Sequence, residues 1–212
     1  MAAGKFITLE GGEGSGKSTQ VKALAAALRD SGREVVETRE PGGSPGAEAI
    51  RELLIHGESD RWDAVSETLL HFAARRDHLR RVIWPALNEG SWVISDRFAD
   101  STLAYQGYGL QLGADFVRRI YDLTVGDFRP DLTFILDLPV QEGLARAAAR
   151  RGGGERYEGM GIAFHERLRV GFHDIVVREP GRCVLIDASG DEAAVAAGIR
   201  AAVTERLGAA AA

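Results

Sequence analysis

The sequence of 212 residues predicts an α/β fold in which helices flank a parallel sheet of five strands. The first observation is that short apolar runs alternate with longer segments of helical periodicity, which requires crossover connections between parallel strands. The second is that glycine-rich or charged motifs follow three of these runs, at the carboxyl ends where such sheets bind ligands. The third is the hydrophobic content of 45%, which suffices for the core of one domain spanning residues 1–212.

Five apolar runs predict the strands of the sheet. In chain order they contain FITLE, EVVET, SWVIS, LTFILDL and CVLID, and they cover residues 5–10, 34–38, 91–95, 132–138 and 183–187.

Eight segments with apolar residues at every third or fourth position predict the helices. They cover residues 17–31, 46–56, 64–88, 101–108, 114–125, 140–151, 161–178 and 192–207. Gly32 favours the end of the first helix. Pro85 is expected to kink or shorten the third, because proline lacks the N–H that the helical ladder needs. Three glycines at residues 152–154 predict a mobile lid around residues 150–160.

Composition and charge argue against several classes of function. A net charge of −5 does not favour binding to a nucleic acid polymer or to an acidic membrane. No run of about 18 apolar residues is present, so we expect no transmembrane helix. The first ten residues have neither the apolar core of a signal peptide nor an arginine-rich transit pattern, which predicts a cytoplasmic protein.

A phosphate-binding motif lies between the first strand and the first helix. The segment GGEGSGKST contains the full pattern G-x-x-x-x-G-K-[ST], so the sheet is predicted to be of the P-loop NTPase type. Glycines let backbone N–H groups turn toward an anion, and the following helix adds its positive end. Lys17 is expected to reach the β- and γ-phosphates of a nucleoside triphosphate, and Ser18 to contact Mg²⁺. The predicted triphosphate-binding loop comprises Gly11, Gly12, Glu13, Gly14, Ser15, Gly16, Lys17, Ser18 and Thr19.

Glu13 places a carboxylate beside the expected phosphates. One interpretation is a solvated loop carboxylate. We prefer a role near Mg²⁺ or near a hydroxyl of the substrate, because a carboxylate next to phosphates is unfavourable unless a cation or a hydroxyl faces it.

Two arginines follow the second and third strands. If both strands flank the first, Arg39 and Arg97 point into one crevice beside the P-loop, where guanidinium groups can bind a second phosphate. Asp96 ends the third strand as the carboxylate of a Walker-B strand does, and it can orient Mg²⁺ or a water ligand. Capping a helix or pairing with Arg97 explains Asp96 equally well.

The chain resembles the bacterial thymidylate kinases over residues 5–187. The resemblance rests on FITLEGGEGSGKST, TREPGGSPGAE, LLHFAARRDHL, SDRFADSTLAYQGYG and FRPDLTFILDL, which occur in the order and spacing of that family. It implies transfer of the γ-phosphate of ATP to dTMP, giving dTDP, with Mg²⁺. It also implies a homodimer, for which the helices at residues 64–88 and 114–125 are candidates by analogy.

The resemblance also implies roles for individual residues. Arg97 and Arg39 hold the acceptor phosphate, and Arg75 hydrogen-bonds the thymine base. Tyr105 packs under the deoxyribose and disfavours a 2′-hydroxyl, and Glu13 lies near the 3′-hydroxyl and the metal. Further contacts to dTMP are implied for Arg51, Thr102 and Gln106.

The sequence departs from the family pattern at the base. Many members carry phenylalanine four residues before the base-binding arginine, whereas His71 stands there in this chain. Phe72 is three residues before Arg75, also on a compatible helix face. Either ring is expected to stack on thymine. Phe72 is the better hydrophobic platform of the two, and core packing is the alternative role for it.

The charge on the transferred phosphoryl group calls for an arginine that the P-loop of this chain lacks. We expect Arg150, Arg151 or Arg156, beside the triple glycine, to close over the γ-phosphate, and Arg146 to stack on adenine. Relatives without a P-loop arginine likewise carry basic residues in the lid. A solvated basic helix end is the alternative.

Three other functions compete with this prediction. A kinase that acts on dCMP or on a nucleoside is the nearest, and acceptor preference would separate the two. A GTPase switch would need an NKxD motif, which is absent. A non-catalytic nucleotide-binding regulator is disfavoured by the intact Lys17 and Ser18.

Overall fold

The computed structural model describes residues 4–57, 60–149, 157 and 159–208. Within these ranges the strands form one parallel sheet in the order β2-β3-β1-β4-β5. They are β1 (Phe6–Gly11), β2 (Val35–Arg39), β3 (Trp92–Asp96), β4 (Leu132–Asp137) and β5 (Cys183–Asp187). At the centre of the sheet, β1 pairs Phe6 with Val93 of β3 and Ile7 with Leu132 of β4. The predicted parallel sheet of five strands is confirmed.

Helices connect the strands and cover both faces of the sheet. They are α1 (Lys17–Asp30), α2 (Pro45–Ile55), α3 (Ala64–His78), α4 (Trp84–Asn88), α5 (Ala99–Thr102), α6 (Ala114–Thr124), α7 (Val140–Ala148), α8 (Ile162–Arg178) and α9 (Glu192–Leu207). None of the helices in the described ranges combines the length and the apolar character needed to cross a membrane.

The helix predicted at residues 64–88 is interrupted by a π-helical turn at Leu79–Ile83. There the N–H of Trp84 bonds to the carbonyl of Leu79, five residues back. Pro85 then falls in the first turn of α4, where a helix does not need the missing N–H. The expected irregularity near the proline is therefore a widened turn that precedes it.

A second π-helical turn, Leu103–Gly109, continues from α5. The N–H of Leu110 closes it on the carbonyl of Tyr105 at 2.8 Å. The turn carries Tyr105 and Gln106, and π-helical turns inside helices are frequent at functional sites.

The core has two parts, one on each face of the sheet. Because side chains alternate along a strand, Phe6 joins the cluster beneath α3, α5, α6 and α8, while Ile7 and Leu9 join the cluster beneath α1 and α9. Helices cover both faces of the sheet, so the loops that carry the predicted site lie at its carboxyl edge. The ends of β1, β2 and β3 form this edge.

Candidate active site

The loop between β1 and α1 forms a backbone cradle. Gly11, Gly14 and Gly16 adopt φ angles of 137°, 68° and 85°, which residues with a side chain rarely adopt. The positive end of α1 begins at Lys17, whose ammonium group is buried and donates to the carbonyl of Gly12 at 2.8 Å. Burial lowers the pKa of Lys17 to about 8. The cradle therefore combines N–H groups, a helix dipole and a cation, which suits a phosphate chain.

The same loop packs tightly against α7. A Cβ atom on Gly14 would lie 2.1 Å from the carbonyl oxygen of Gly143, and one on Gly143 would lie 2.5 Å from the carbonyl oxygen of Glu13. The two backbones can approach this closely only because both positions are glycine. The cradle is thus braced by the helix that leads to the predicted lid.

Ser18 and Asp96 lie together at the open side of the cradle. The Ser18 hydroxyl donates to Oδ2 of Asp96 at 2.5 Å. In the described part of the chain no group of three or more His, Cys, Asp or Glu side chains is placed to hold a metal. One hydroxyl and one carboxylate fit Mg²⁺, which prefers oxygen ligands and takes its other positions from phosphates and water.

Arg97, Tyr105 and Glu13 form a connected group in the floor of the site. Arg97 follows Asp96 with a φ angle of 72°, in the left-handed region that favours glycine. Its guanidinium donates to the carbonyl of Gly11 at 2.9 Å and to the Tyr105 hydroxyl at 2.9 Å. The same hydroxyl donates to Glu13 at 2.5 Å. Glu13 is only 8% exposed, so its carboxylate is buried and partnered rather than solvated.

The ionisation of this group follows from its contacts. Burial alone would raise the pKa of Glu13, but the charges of Arg97 and Lys17 and the bond from Tyr105 outweigh it and lower that pKa. Burial raises the pKa of Tyr105 well above its usual value, so the hydroxyl keeps its proton. The site therefore holds a charged Arg97 beside an ionised Glu13.

Glu10, which sequence reasoning missed, supports this group from below. Its fully buried carboxyl accepts from the N–H of Phe98 at 2.7 Å and from the hydroxyl of Ser101. Ser101 in turn accepts from Arg97 at 3.0 Å. Burial, reinforced by the charge of Asp100, raises the pKa of Glu10 to about 8. A carboxylate at the end of an otherwise apolar strand was the available signal.

A cleft of about 560 Å³ opens along this edge of the sheet. Most of the predicted site residues line it: Glu13, Gly14, Ser15, Gly16, Lys17, Ser18, Thr19, Arg39, Arg51, His71, Arg75, Asp96, Arg97, Thr102, Tyr105, Gln106 and Arg146. Tyr157 also lines the cleft and was not singled out from the sequence. The cleft joins the cradle at one end to a pocket between α3 and the second π-helical turn at the other.

Arg75 is the buried cation of that pocket, with 2% of its surface exposed. It donates to Glu40 at 2.7 Å, and through Nη2 to the Phe98 carbonyl and to Thr102 Oγ1, each at 3.0 Å. Nη1 of Arg75 is buried and has no hydrogen-bond partner among the described residues. A donor of this kind is available to an acceptor atom of a bound ligand.

Gln106 supplies a hydrogen-bond acceptor in the same pocket. It is 1% exposed, and its Nε2 donates to Glu67 at 2.7 Å and to the Tyr157 hydroxyl at 3.0 Å. Its carbonyl oxygen Oε1 is buried and, within the described ranges, lacks a partner. The pocket thus presents one unpaired donor and one unpaired acceptor. Neither Glu67 nor Tyr157 was predicted, because their contacts join segments about 90 residues apart.

His71 and Phe72 occupy different environments. His71 lines the cleft, where burial and the nearby charge of Arg75 lower its pKa to about 3, so its ring is neutral. Phe72 lies in the core outside the lining of the cleft, against the ring of Tyr121 and beneath the guanidinium of Arg75. Of the two rings, His71 is therefore the one that faces the cleft, and Phe72 is part of the core.

Arg39 and Arg51 reach the cleft from its far side. The expectation that β2 and β3 both flank β1 is wrong, because β3 separates β2 from β1. The register nevertheless pairs Arg39 with Asp96, so both lie at the same edge. The exposed Arg39 guanidinium donates to Glu48 at 2.9 Å, and Arg51 donates to the carbonyl of Pro41 at 2.8 Å.

Arg146 lies at the opposite end of the cleft, on α7. It donates to Glu142 at 2.5 Å and to the carbonyl of Ala188, after β5, at 3.0 Å. The predicted lid residues Arg150, Arg151 and Arg156 lie outside the described residues.

Comparisons with known proteins agree with this geometry. A sequence model of the thymidylate kinase family matches residues 9–199. The chain belongs to the thymidylate kinase family. It is therefore an ATP-dependent nucleoside monophosphate kinase, of the family that phosphorylates dTMP to dTDP.

Individual relatives are similar over nearly their whole length. A thymidylate kinase of Caulobacter vibrioides is 56% identical over 208 residues, which are 98% of this chain and 100% of the relative. One from a Bradyrhizobium strain is 55% identical over 96% of this chain and 91% of its own length. The crystal structure of thymidylate kinase from Ehrlichia chaffeensis superposes with a TM-score of 0.76 at 36% identity, covering 95% of this chain and 99% of that one.

Proposed function

We propose that the cleft binds dTMP with its base between α3 and the second π-helical turn, and transfers to it the γ-phosphate of ATP held by the cradle. The observation that carries this proposal is that one donor of Arg75 and one acceptor of Gln106 are buried without a partner among the described residues. Nη1 of Arg75 matches the 4-carbonyl of thymine, and Oε1 of Gln106 matches its N3–H. Cytosine presents an amino group and a lone pair at these positions, so it would leave both protein atoms unsatisfied.

The sugar and the base faces have their own contacts. The neutral ring of His71 stacks on the base, and Thr102 closes the pocket beside Arg75. The ring of Tyr105 packs against the deoxyribose and leaves no room for a 2′-hydroxyl. Its hydroxyl holds Glu13 toward the 3′-hydroxyl.

The phosphates are bound by charges that the fold has placed in advance. Arg97, with Arg39 and Arg51 beyond it, receives the phosphate of dTMP, and Lys17 with the backbone of the cradle receives ATP. Ser18 and Asp96 would hold Mg²⁺, which when bound neutralises charge on the phosphates. The acceptor is already a phosphate oxyanion, so positioning and charge compensation suffice and no general base is needed.

The donor side is completed by α7 and the lid. We propose that Arg146 packs on the adenine and that Arg150, Arg151 or Arg156 reaches the transferred phosphoryl group from a lid at residues 150–160. Turnover of Arg150→Ala, Arg151→Ala and Arg156→Ala tests this: at least one variant should lose more than tenfold in kcat. Unchanged turnover in all three would remove the lid arginines from the mechanism.

A homodimer fits the exposed apolar side chains of two adjacent helices. Val65 and Leu69 on α3, and Phe116 and Leu123 on α6, are exposed although large and apolar, and the two helices pack against each other. Sedimentation of Leu123→Asp should show a shift toward monomer, because it places a charge on a side chain that is 86% exposed in the single chain. A cytoplasmic location stays a prediction from the sequence.

The experiment that tests the proposed function is an assay of ADP release with ATP and Mg²⁺ against a panel of nucleoside monophosphates. We expect strong turnover with dTMP, weaker turnover with dUMP, and little with the thymine ribonucleotide, dCMP or AMP. Equal turnover of dCMP and dTMP would contradict the assignment of Arg75 and Gln106. ADP release without any acceptor would mean that the phosphate goes to water, and would overturn the acceptor site while leaving the cradle in place.

A further inference from the structure

The buried amide of Gln106 is held in one orientation by hydrogen bonds to Glu67 and Tyr157. One Nε2 proton goes to Oε1 of Glu67 at 2.7 Å, and Nε2 also lies 3.0 Å from the Tyr157 hydroxyl, as a donor to it. That hydroxyl donates its own proton to the same oxygen of Glu67 at 2.5 Å. The Glu67 oxygen and the Tyr157 hydroxyl lie 2.5 Å apart, so the same N–H of the amide faces both, and Nε2 is held on the side of Glu67.

Reversing the amide would break these hydrogen bonds. Oε1 of Gln106 would then face Oε1 of Glu67, and two acceptors would meet between side chains that are each 1% exposed. The Tyr157 hydroxyl could turn its proton toward the reversed amide, but only by taking it away from Glu67. The acceptor on Glu67 thus decides the orientation, and Tyr157 follows it.

We propose that Glu67 is a positioning residue for base selection, which keeps the carbonyl oxygen of Gln106 toward the base so that only pyrimidines with a proton on N3 are accepted. The inference rests on the proposed function, because it takes the base to lie against Gln106. Glu67 itself acts through Gln106. The class of substrate it selects is a pyrimidine with a 4-carbonyl and an N3–H.

Two variants of Glu67 separate its chemistry from its packing. Glu67→Gln keeps the length of the side chain but can present an N–H, so the Gln106 amide can reverse and offer a donor to the base. Glu67→Asp shortens the side chain by one methylene yet still presents only acceptors. If Glu67 acts only through packing, Glu67→Asp should lower activity more than Glu67→Gln does. If Glu67 orients Gln106, only Glu67→Gln should change the selection of the base.

The probe is 5-methyl-2′-deoxyisocytidine monophosphate, compared with dTMP and dCMP by kcat/KM. This analogue keeps the 4-carbonyl that Arg75 binds, but its N3 is an acceptor. We expect the wild-type enzyme to reject it and Glu67→Gln to narrow the ratio of dTMP to the analogue by about tenfold, the range of one hydrogen-bond preference. Glu67→Asp should keep the wild-type ratio. The dTMP to dCMP ratio should change less in every variant, because Arg75 still opposes the 4-amino group.

Other outcomes overturn the inference in distinguishable ways. If Glu67→Gln is active on dTMP and keeps the wild-type ratio of kcat/KM for dTMP to that for the analogue, another contact orients Gln106. An equal loss of selection in both variants would assign Glu67 to packing. If Glu67→Gln does not fold, the wild-type enzyme still tests the inference. A wild-type kcat/KM for the analogue within twofold of that for dTMP would contradict a fixed orientation of Gln106. A wild-type enzyme that does not phosphorylate dTMP would instead refute the proposed function itself.

Discussion

The hydroxyl of Tyr105 is the most informative single atom to remove from the site. In Tyr105→Phe the ring stays, so its packing against Tyr157 and Phe164 is kept, while Glu13 loses a donor at 2.5 Å and Arg97 loses an acceptor at 2.9 Å. The remaining direct contact between the two charges is 3.4 Å long.

The expected magnitude follows from these contacts. A hydrogen bond to a charged group contributes about 1.5–3 kcal/mol, and both partners of this hydroxyl are charged. Because the cleft is open and water can replace part of the loss, we expect the free energy of unfolding to fall by about 2–3 kcal/mol. Looser positioning of Arg97 and Glu13 should lower kcat by about 10- to 100-fold.

Urea unfolding at neutral pH and steady-state kinetics with dTMP measure the two effects. Tyr108→Phe is the matched control, because Tyr108 lies in the same π-helical turn but bonds to Asp174 outside the lining of the cleft. Its unfolding free energy should fall by less than that of Tyr105→Phe, because the bond to Asp174 is only part-buried, water can replace it, and a single bond is lost instead of two. If Tyr105→Phe unfolds like the control and keeps its kcat, the hydroxyl does not hold the charged pair. Discrimination against the ribonucleotide should persist, since it depends on the ring.

Three further predictions concern ionisation and packing. In the folded chain the pKa of Lys17 is lowered from 10.5 to about 8, so calorimetry should show that the affinity for ATP falls above pH 8. The unfolded chain binds more protons than the folded one between pH 8 and 10.5, so the contribution of Lys17 to stability rises there. A constant affinity for ATP up to pH 9.5 would contradict the lowered pKa. The pKa of Glu10 is raised from 4.5 to about 8, so its contribution to stability falls as the pH rises through that window by up to about 1.4 kcal/mol per pH unit, and urea unfolding of Glu10→Gln should lack this slope. Gly143→Ala should lower the melting temperature and weaken ATP binding, because its Cβ would lie 2.5 Å from the Glu13 carbonyl oxygen. The control Gly198→Ala, in open space on α9, should leave ATP binding intact and stabilise the helix by about 0.5–1 kcal/mol. Equal effects of the two substitutions would refute the tight packing of α7 on the cradle.

Features that depend only on residues close together along the chain were predictable from the sequence. The phosphate cradle is a run of nine residues whose glycines and helix start determine its backbone geometry locally, so GGEGSGKST predicts it without any tertiary contact. The strands and most helices were placed within a few residues for the same reason, because side-chain periodicity is a local property. The resemblance to thymidylate kinases added the residues expected to contact the base and the sugar, which periodicity alone does not indicate.

What remained open depended on contacts between distant segments. Helix periodicity put both His71 and Phe72 on faces compatible with Arg75, and only packing showed that Phe72 belongs to the core while His71 lines the cleft. The sequence favoured a partner for Glu13 but also allowed a solvated carboxylate, and the burial of Glu13 depends on Tyr105, which is 92 residues away.

The sequence by itself therefore determined the phosphate cradle, the class of fold and the family. Tertiary structure alone decided the order of the strands, the burial of Glu13 and Glu10, and the hydrogen bonds that tie Gln106 to Glu67. The physical reason is that local backbone preferences act over a few residues, whereas desolvation and the pairing of charges depend on which distant segments the fold brings within hydrogen-bond distance.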